Sequence, residues 1–144
     1  MMRIAIASDH GGFQLKEMVK GYLESFECII IDLGTDSEES VDYPLFGQAC
    51  GQAVANHEAD RGIVICGTGI GISMAANKVK GVRCALCTSV HMAEMTRKHN
   101  DANMLALGGR ILEVTDALAI VDAWLATEFE GGRHQRRVDQ LDDM

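Results

Sequence analysis

Aromatic residues and proline are scarce in this chain. Phe, Trp and Tyr make up 5% of its 144 residues, and there is one proline, whereas apolar residues of all kinds make up 47%. The core must therefore consist mainly of Ile, Val, Leu, Ala and Met. At this length a single domain, residues 1–144, can bury about 68–70% of its unfolded surface without disulfides or metals.

Positive charge is also in short supply. There are 13 Lys and Arg against 21 Asp and Glu, which gives a net charge of −8. A nucleic-acid surface needs clustered Lys and Arg to contact phosphates, so we expect no nucleic-acid partner. A small phosphorylated ligand remains compatible with this charge, because a few local arginines can hold it.

Membrane and secretion signals are missing too. No apolar run approaches the ~20 residues of a membrane helix, and the first apolar stretch runs straight into Asp9 and His10. We expect a cytoplasmic protein with no membrane contact. The five cysteines are an odd number in a chain without a secretory signal, so free thiols are expected.

Short apolar runs alternate with segments of helical periodicity. Strands are predicted at 4–7, 28–31, 62–66, 82–87 and 103–107. Pro44 suits the first turn of a helix, and Ser89 and Thr115 are predicted to cap two others. Continuous apolar strands that alternate with helices indicate an α/β fold, with a parallel sheet covered on both faces.

In open parallel sheets, ligands bind beyond the carboxyl ends of the strands. The strongest feature there is the glycine-rich turn that follows the third predicted strand, with Gly67, Gly69 and Gly71. Unpaired N–H groups at the following helix N-terminus can bind a phosphate or an oxyanion formed during a reaction. A tight turn with only a structural role is the alternative.

Two nucleotide-binding motifs fit this turn poorly. Ile72 stands where G-x-G-x-x-G needs its third glycine, and no acidic residue ends the next strand, which argues against a dinucleotide site. The Gly-Lys-Ser/Thr ending of a P-loop is missing as well.

Cys66 stands directly before this turn. The positive end of a helix stabilises a thiolate, which could take a proton from carbon while the same N–H groups hold the resulting oxyanion. A small apolar residue at the end of a buried strand is the structural alternative. Cys84 and Cys87 are expected on opposite faces of one strand, which argues against a redox pair or a zinc site.

Two further groups carry candidate residues. His99 follows Met92 and Met95 on an apolar helix face and is either a core histidine or a group that transfers protons near neutral pH. Arg133 and Arg137 would share one face of a helix and could grip a phosphate together, although a solvated basic tail has the same composition.

Seven segments, taken in order, resemble the family of ribose-5-phosphate isomerase B, which also includes galactose-6-phosphate isomerase subunits. The segments are 8–13, 42–44, 66–73, 75–78, 97–103, 120–125 and 130–138. The resemblance implies a Rossmann-like three-layer α/β/α sandwich with a five-stranded parallel sheet, and no metal or cofactor. It also implies a homodimer whose sites use both chains, with residues 131–144 packing at the dimer interface; a tetramer is left open.

The resemblance also implies roles for individual residues. Cys66 would move a proton between carbons 2 and 1, and Thr68 and His99 would assist, with Asp9 helping His99 to open the sugar ring. The anion hole would be formed by Gly67, Thr68, Gly69, Ile70 and Gly71. Asn100 and Tyr43 would contact the sugar. The phosphate would be bound by His10, Arg110, Arg133 and Arg137.

The function expected from this resemblance is interconversion of ribose 5-phosphate and ribulose 5-phosphate through an enediolate. Two alternatives stay open: isomerisation of a hexose 6-phosphate, such as allose or galactose 6-phosphate, and a non-catalytic sugar-phosphate sensor.

Overall fold

The computed structural model describes residues 1–144, which form five strands and six helices. The strands are β1 Met2–Ser8, β2 Cys28–Asp32, β3 Arg61–Cys66, β4 Cys84–Leu86 and β5 Met104–Gly108. The helices are α1 Phe13–Leu23, α2 Tyr43–Ala55, α3 Ile70–Asn77, α4 Val90–Asn100, α5 Val114–Ala126 and α6 Arg133–Asp142, and a short 3-10 turn His10–Gly12 precedes α1.

All five strands lie parallel in one sheet, in the order β2-β1-β3-β5-β4. Successive side chains of a strand point to opposite faces, so β1 serves two cores. Ile4 and Ile6 pack with α1, α4 and α5 on one face, and Ala5 and Ala7 pack with α2 and α3 on the other. This arrangement confirms the predicted three-layer α/β/α architecture.

Strand β4 is shorter than the sequence pattern predicts. It covers Cys84–Leu86, and Cys87 follows the last paired residue. The two cysteines nevertheless lie on opposite sides of the sheet, since Cys87 packs with the α1 side and Cys84 with the α2 side. All five cysteines are free thiols, as predicted.

The helix starts agree with the sequence in two cases of three. Pro44 lies in the first turn of α2, and the Ser89 hydroxyl accepts the Met92 N–H at 3.2 Å at the start of α4. The predicted Thr115 cap is wrong. Helix α5 begins at Val114, two residues earlier than a Thr115 cap would place it, and Glu113 precedes it without a side-chain capping bond.

The buried face of α4 also differs from the expected one. Ala93, Thr96 and Arg97 face inward, whereas Met92 is 41% exposed. Arg97 can be buried because its guanidinium donates to the carbonyls of Thr127 and Ala102 and to the Asp101 carboxylate. The buried face of α4 is therefore decided by the acceptors available to Arg97, and not by the apolar periodicity of the sequence.

The C-terminal segment folds back on the domain. Gly131 and Gly132 adopt positive φ values of 68° and 58°, which glycine tolerates at little steric cost. Helix α6 then packs beside α4, and Asp142 accepts from Arg83 at 2.8 Å. None of the helices combines the length and the apolar character needed to cross a bilayer.

Candidate active site

Cys66 ends β3, the central strand of the sheet, and its side chain is held by the loop that follows. Its sulfur accepts the N–H of Gly69 at 3.2 Å, and the residue is 5% exposed. Gly69 has a φ of +81°, and a side chain there would also meet Leu86 and the Leu107 carbonyl. Only glycine allows the loop to close over the Cys66 sulfur in this way.

The loop between β3 and α3 presents backbone donors. The N–H groups of Gly67, Thr68 and Gly71 donate to no protein acceptor, whereas the Ile70 N–H donates to the Thr68 hydroxyl at 3.2 Å. Free N–H groups at the start of a helix attract negative charge, because the helix dipole adds to their own polarity. The loop therefore offers free backbone donors beside the Cys66 sulfur, as the predicted anion site requires.

Close backbone contact brings the end of β1 to this loop. A Cβ on Gly11 would lie 3.1 Å from the Gly67 nitrogen, and a Cβ on Gly12 would lie 2.4 Å from the Ile65 carbonyl oxygen. The Gly11-Gly12 pair was not assigned a role from the sequence. Its signal is a pair of glycines directly after polar residues that end a strand.

Asp9 and His10 are fixed by backbone bonds next to this contact. Asp9 is 7% exposed, and its carboxylate accepts the Gly12 N–H at 3.1 Å. The Val41 N–H donates to Nδ1 of His10 at 3.1 Å. Neutral His10 therefore carries its proton on Nε2, where it can donate to an anion.

Arg110 and Tyr43 complete this group. The Arg110 N–H donates to the Gly67 carbonyl at 2.9 Å, and its guanidinium carbon would lie 3.4 Å from a Cβ on Gly11. The Tyr43 ring lies against Gly71, where a Cβ would come within 2.7 Å of it. We call this group the carboxyl-edge cluster; it comprises Asp9, His10, Tyr43, Cys66, Gly67, Thr68, Gly69, Ile70, Gly71 and Arg110.

The remaining predicted site residues lie at the opposite edge of the sheet. Helix α4 runs back against the strands, so its last residues, His99 and Asn100, lie near the strand starts. Arg83, directly before β4, donates to the Asn100 carbonyl at 3.2 Å. Strand β3 spans about 16 Å, so one chain does not bring His99 to Cys66. We call His99, Asn100, Glu130, Arg133, His134 and Arg137 the amino-edge cluster.

His99 is not isolated within this second cluster. Its ring stacks on that of His134, with centroids 4.4 Å apart and planes at 16°. Glu130 Oε1 lies 3.8 Å from Nε2 of His99 and 3.5 Å from Nε2 of His134, so two imidazoles and one carboxylate converge here. Burial lowers the pKa of His134, and the charges of His99 and Arg133 act in the same direction. The sequence reasoning gave Glu130 and His134 no role.

The other four cysteines differ from Cys66 in their surroundings. Burial raises the pKa of the thiols of Cys28 and Cys84, and raises that of Cys50 to about 12 and that of Cys87 to about 11. Cys50 donates to backbone carbonyls. Cys66 is the one cysteine whose sulfur accepts a backbone N–H, which suits a negative sulfur.

Comparisons with known proteins show to which family this chain belongs. Ribose-5-phosphate isomerase B of Escherichia coli is 47% identical over 141 residues, which cover 98% of this chain and 95% of the relative. The solved structure of ribose-5-phosphate isomerase B from Clostridium thermocellum superposes with a TM-score of 0.97 at 55% identity, over 99% of this chain and 96% of that one.

A third relative is known with a ligand. The structure of ribose-5-phosphate isomerase B from Mycoplasma genitalium contains bound ribulose 5-phosphate. It superposes with a TM-score of 0.93 at 43% identity and covers 98% of this chain and 94% of that one. The family model described as Ribose/Galactose Isomerase matches residues 4–141. This chain is therefore a member of the ribose/galactose isomerase family.

Proposed function

We propose that this chain is an aldose–ketose isomerase that interconverts ribose 5-phosphate and ribulose 5-phosphate. The observation that carries the proposal is the Cys66 sulfur beside free N–H groups of the following loop. The relatives named ribose-5-phosphate isomerase B support the choice of substrate, since one of them holds ribulose 5-phosphate.

The reaction needs a base next to a group that stabilises an oxyanion. A Cys66 thiolate removes the proton from carbon 2 of the open-chain aldose, and the electrons move to the carbonyl oxygen at carbon 1. The N–H groups of Gly67, Thr68 and Gly71 stabilise the enediolate that results. A proton also passes from the hydroxyl on carbon 2 to the oxygen on carbon 1, and return of the first proton from Cys66 to carbon 1 then gives the ketose.

The other members of the carboxyl-edge cluster hold the substrate. Nε2 of His10 and the Arg110 guanidinium are donors suited to a phosphate. Asp9 accepts from a sugar hydroxyl, and Tyr43 packs beside the sugar. Fixing the phosphate at one end positions carbon 2 at the sulfur.

A second copy of the chain supplies the amino-edge residues. His99 opens the furanose ring, Asn100 contacts the sugar, and Arg133 and Arg137 hold the phosphate from the partner. The proposal explains why one chain keeps these residues at the opposite edge of the sheet from Cys66. Exposed apolar side chains beside the Cys66 loop also favour a partner here: Tyr43, Leu45, Ile70 and Met74 are 41–69% exposed. The 131–144 segment then lies at the interface of a cytoplasmic homodimer, or of a tetramer built from it.

The first experiment measures conversion of ribose 5-phosphate to ribulose 5-phosphate by the purified protein, with a chelator present. We expect robust turnover. Folded dimer without turnover would contradict the proposed substrate.

The same protein should then be assayed with allose 6-phosphate and galactose 6-phosphate. The family description includes galactose isomerases, so a hexose 6-phosphate is the second candidate substrate. A kcat/KM higher for a hexose 6-phosphate than for ribose 5-phosphate would favour it.

A tagged heterodimer tests whether the two edges meet between chains. Cys66→Ser and His99→Asn chains are co-expressed with different tags, and each homodimer is expected to be inactive. The purified heterodimer contains one intact site of two if the site is shared, so we expect about half the wild-type rate. An inactive heterodimer would contradict a site shared between chains, because it would mean that each site takes Cys66 and His99 from the same chain.

A further inference from the structure

Three donor atoms converge at the amino-edge cluster, and the proposed reaction uses only one of the residues that carry them. The ligand atoms of His99, Glu130 and His134 all lie within 4.8 Å of one another. Glu130 Oε1 lies between the two rings, 3.8 Å from Nε2 of His99 and 3.5 Å from Nε2 of His134. No other group of three such residues in the chain meets this spacing.

These separations suit a shared ion better than direct hydrogen bonds. An N–H···O bond has its heavy atoms about 2.7–3.2 Å apart, so both contacts are long for one. Ligands about 2.0–2.2 Å from a tetrahedral Zn²⁺ lie about 3.3–3.6 Å from each other. Glu130 Oε1 is within a few tenths of an ångström of this spacing from both imidazoles. The two imidazole nitrogens lie within 4.8 Å of each other, so they must close by up to about 1.5 Å to share an ion.

The ligand types select the kind of metal. Two imidazoles and one carboxylate are a set that binds Zn²⁺ and similar first-row transition ions, and it leaves a fourth position for water or a ligand. Ca²⁺ and Mg²⁺ prefer all-oxygen surroundings, so they should bind weakly here.

Contacts between remote segments hold the three residues in place. The His134 side chain is 9% exposed and stacked on His99, which restricts both rings. The Glu130 N–H donates to the Lys98 carbonyl at 3.2 Å, so the carboxylate is tied to the turn of α4 that carries His99. The backbone positions of the three residues are therefore set before an ion arrives. One imidazole must turn out of the stack to bind a shared ion, because an imidazole nitrogen binds an ion in its own ring plane.

Nearby positive charge limits the affinity. Arg133 and Arg137 flank His134 on α6, and Glu130 is the one carboxylate of the site. Repulsion from the arginines should keep binding weaker than in structural zinc sites and therefore reversible.

We propose that His99, Glu130 and His134 form a reversible site for a transition-metal dication of the Zn²⁺ type, and that the bound ion inhibits isomerisation by occupying the His99 imidazole. The inhibition rests on the proposed function. The metal site itself does not.

Binding is tested with Co²⁺, whose visible absorption reports its ligands, on the intact wild-type protein. We expect absorption bands of a four-coordinate ion with nitrogen and oxygen ligands. Glu130→Gln should weaken binding about tenfold or more, and Glu128→Gln, an exposed neighbour, should not. His134→Ala provides a second variant. No band in the wild type, or equal affinity in Glu130→Gln, would overturn the site.

A Cys66→Ser protein controls for the thiol as a competing ligand. We expect it to keep the Co²⁺ spectrum and affinity of the wild type. Loss of the spectrum in this variant would place the ion on sulfur and overturn the proposal.

Inhibition is tested by titrating Zn²⁺ into the isomerase assay, with each variant compared with its own metal-free rate. Glu130→Gln should need about tenfold more Zn²⁺ for half-inhibition than the wild type or Glu128→Gln. Equal Zn²⁺ inhibition of the wild type, Glu130→Gln and Glu128→Gln would overturn the proposal that an ion at this site inhibits the reaction. If the protein lacks isomerase activity, the proposed function fails, and the Co²⁺ experiment still decides the metal site.

Discussion

The two edges of the sheet carry polar clusters that are built in different ways. Backbone contacts build the carboxyl-edge cluster: the Gly109 N–H donates to the Cys66 carbonyl at 2.8 Å, and the Arg110 N–H donates to the Gly67 carbonyl at 2.9 Å. Side chains from two remote helices build the amino-edge cluster, where His99 of α4 stacks on His134 of α6.

This difference separates two demands on the proposed enzyme. Proton transfer needs donors fixed to within fractions of an ångström before substrate arrives, and backbone N–H groups in a closed loop meet that demand. Ring opening and phosphate capture tolerate groups that come from another chain. The exposed arginines of α6 can therefore complete a site that the carboxyl edge begins.

The largest expected effect comes from removing the sulfur at the carboxyl edge. In Cys66→Ser the oxygen is a far weaker acid than the thiol, so the proton transfer slows, and we expect kcat to fall by about 10³-fold. Binding of a phosphate-bearing substrate analogue should survive, because its anchors are untouched. Cys28→Ser is the control at a cysteine far from the loop. Near-normal turnover of Cys66→Ser would exclude Cys66 as the base.

A second test measures how far the carboxyl edge depends on backbone contact. Gly12→Ala forces a methyl group to within 2.4 Å of the Ile65 carbonyl oxygen, and we expect a loss of about 2–3 kcal/mol of unfolding free energy. Gly21→Ala, in the exposed last turn of α1, meets no atom within 4 Å and should raise the free energy of unfolding by up to ~1 kcal/mol. Urea unfolding measures the free energy of unfolding of both variants. Equal values for Gly12→Ala and Gly21→Ala would contradict the close-contact argument.

The smallest expected effect lies at the amino edge. Arg137→Ala removes one phosphate contact that the partner chain is proposed to supply, so KM should rise about tenfold with a smaller change in kcat. Arg136→Ala, the exposed neighbour on α6, should leave both constants near wild type. An unchanged KM and kcat/KM in Arg137→Ala would mean that this residue contributes nothing to substrate binding.

Local features were predictable wherever the sequence restricts the backbone on its own. The apolar runs predicted all five strands, and the glycines after Cys66 predicted the turn that follows β3. The errors arose where contacts between segments decide the structure. Strand β4 is shorter than its apolar run, and Arg97 is buried because its guanidinium donates to the carbonyl of Thr127, 30 residues away, as well as to that of nearby Ala102.

The sequence by itself determined the parallel α/β fold, the family and most of the candidate residues, because periodicity, glycine turns and ordered motifs are local properties. Only the tertiary structure decided that Cys66 and His99 lie at opposite edges of one sheet, since that depends on the direction of α4 against the strands. It also decided that Glu130 and His134 join His99, because residues more than 30 positions apart meet only when α6 folds back onto α4.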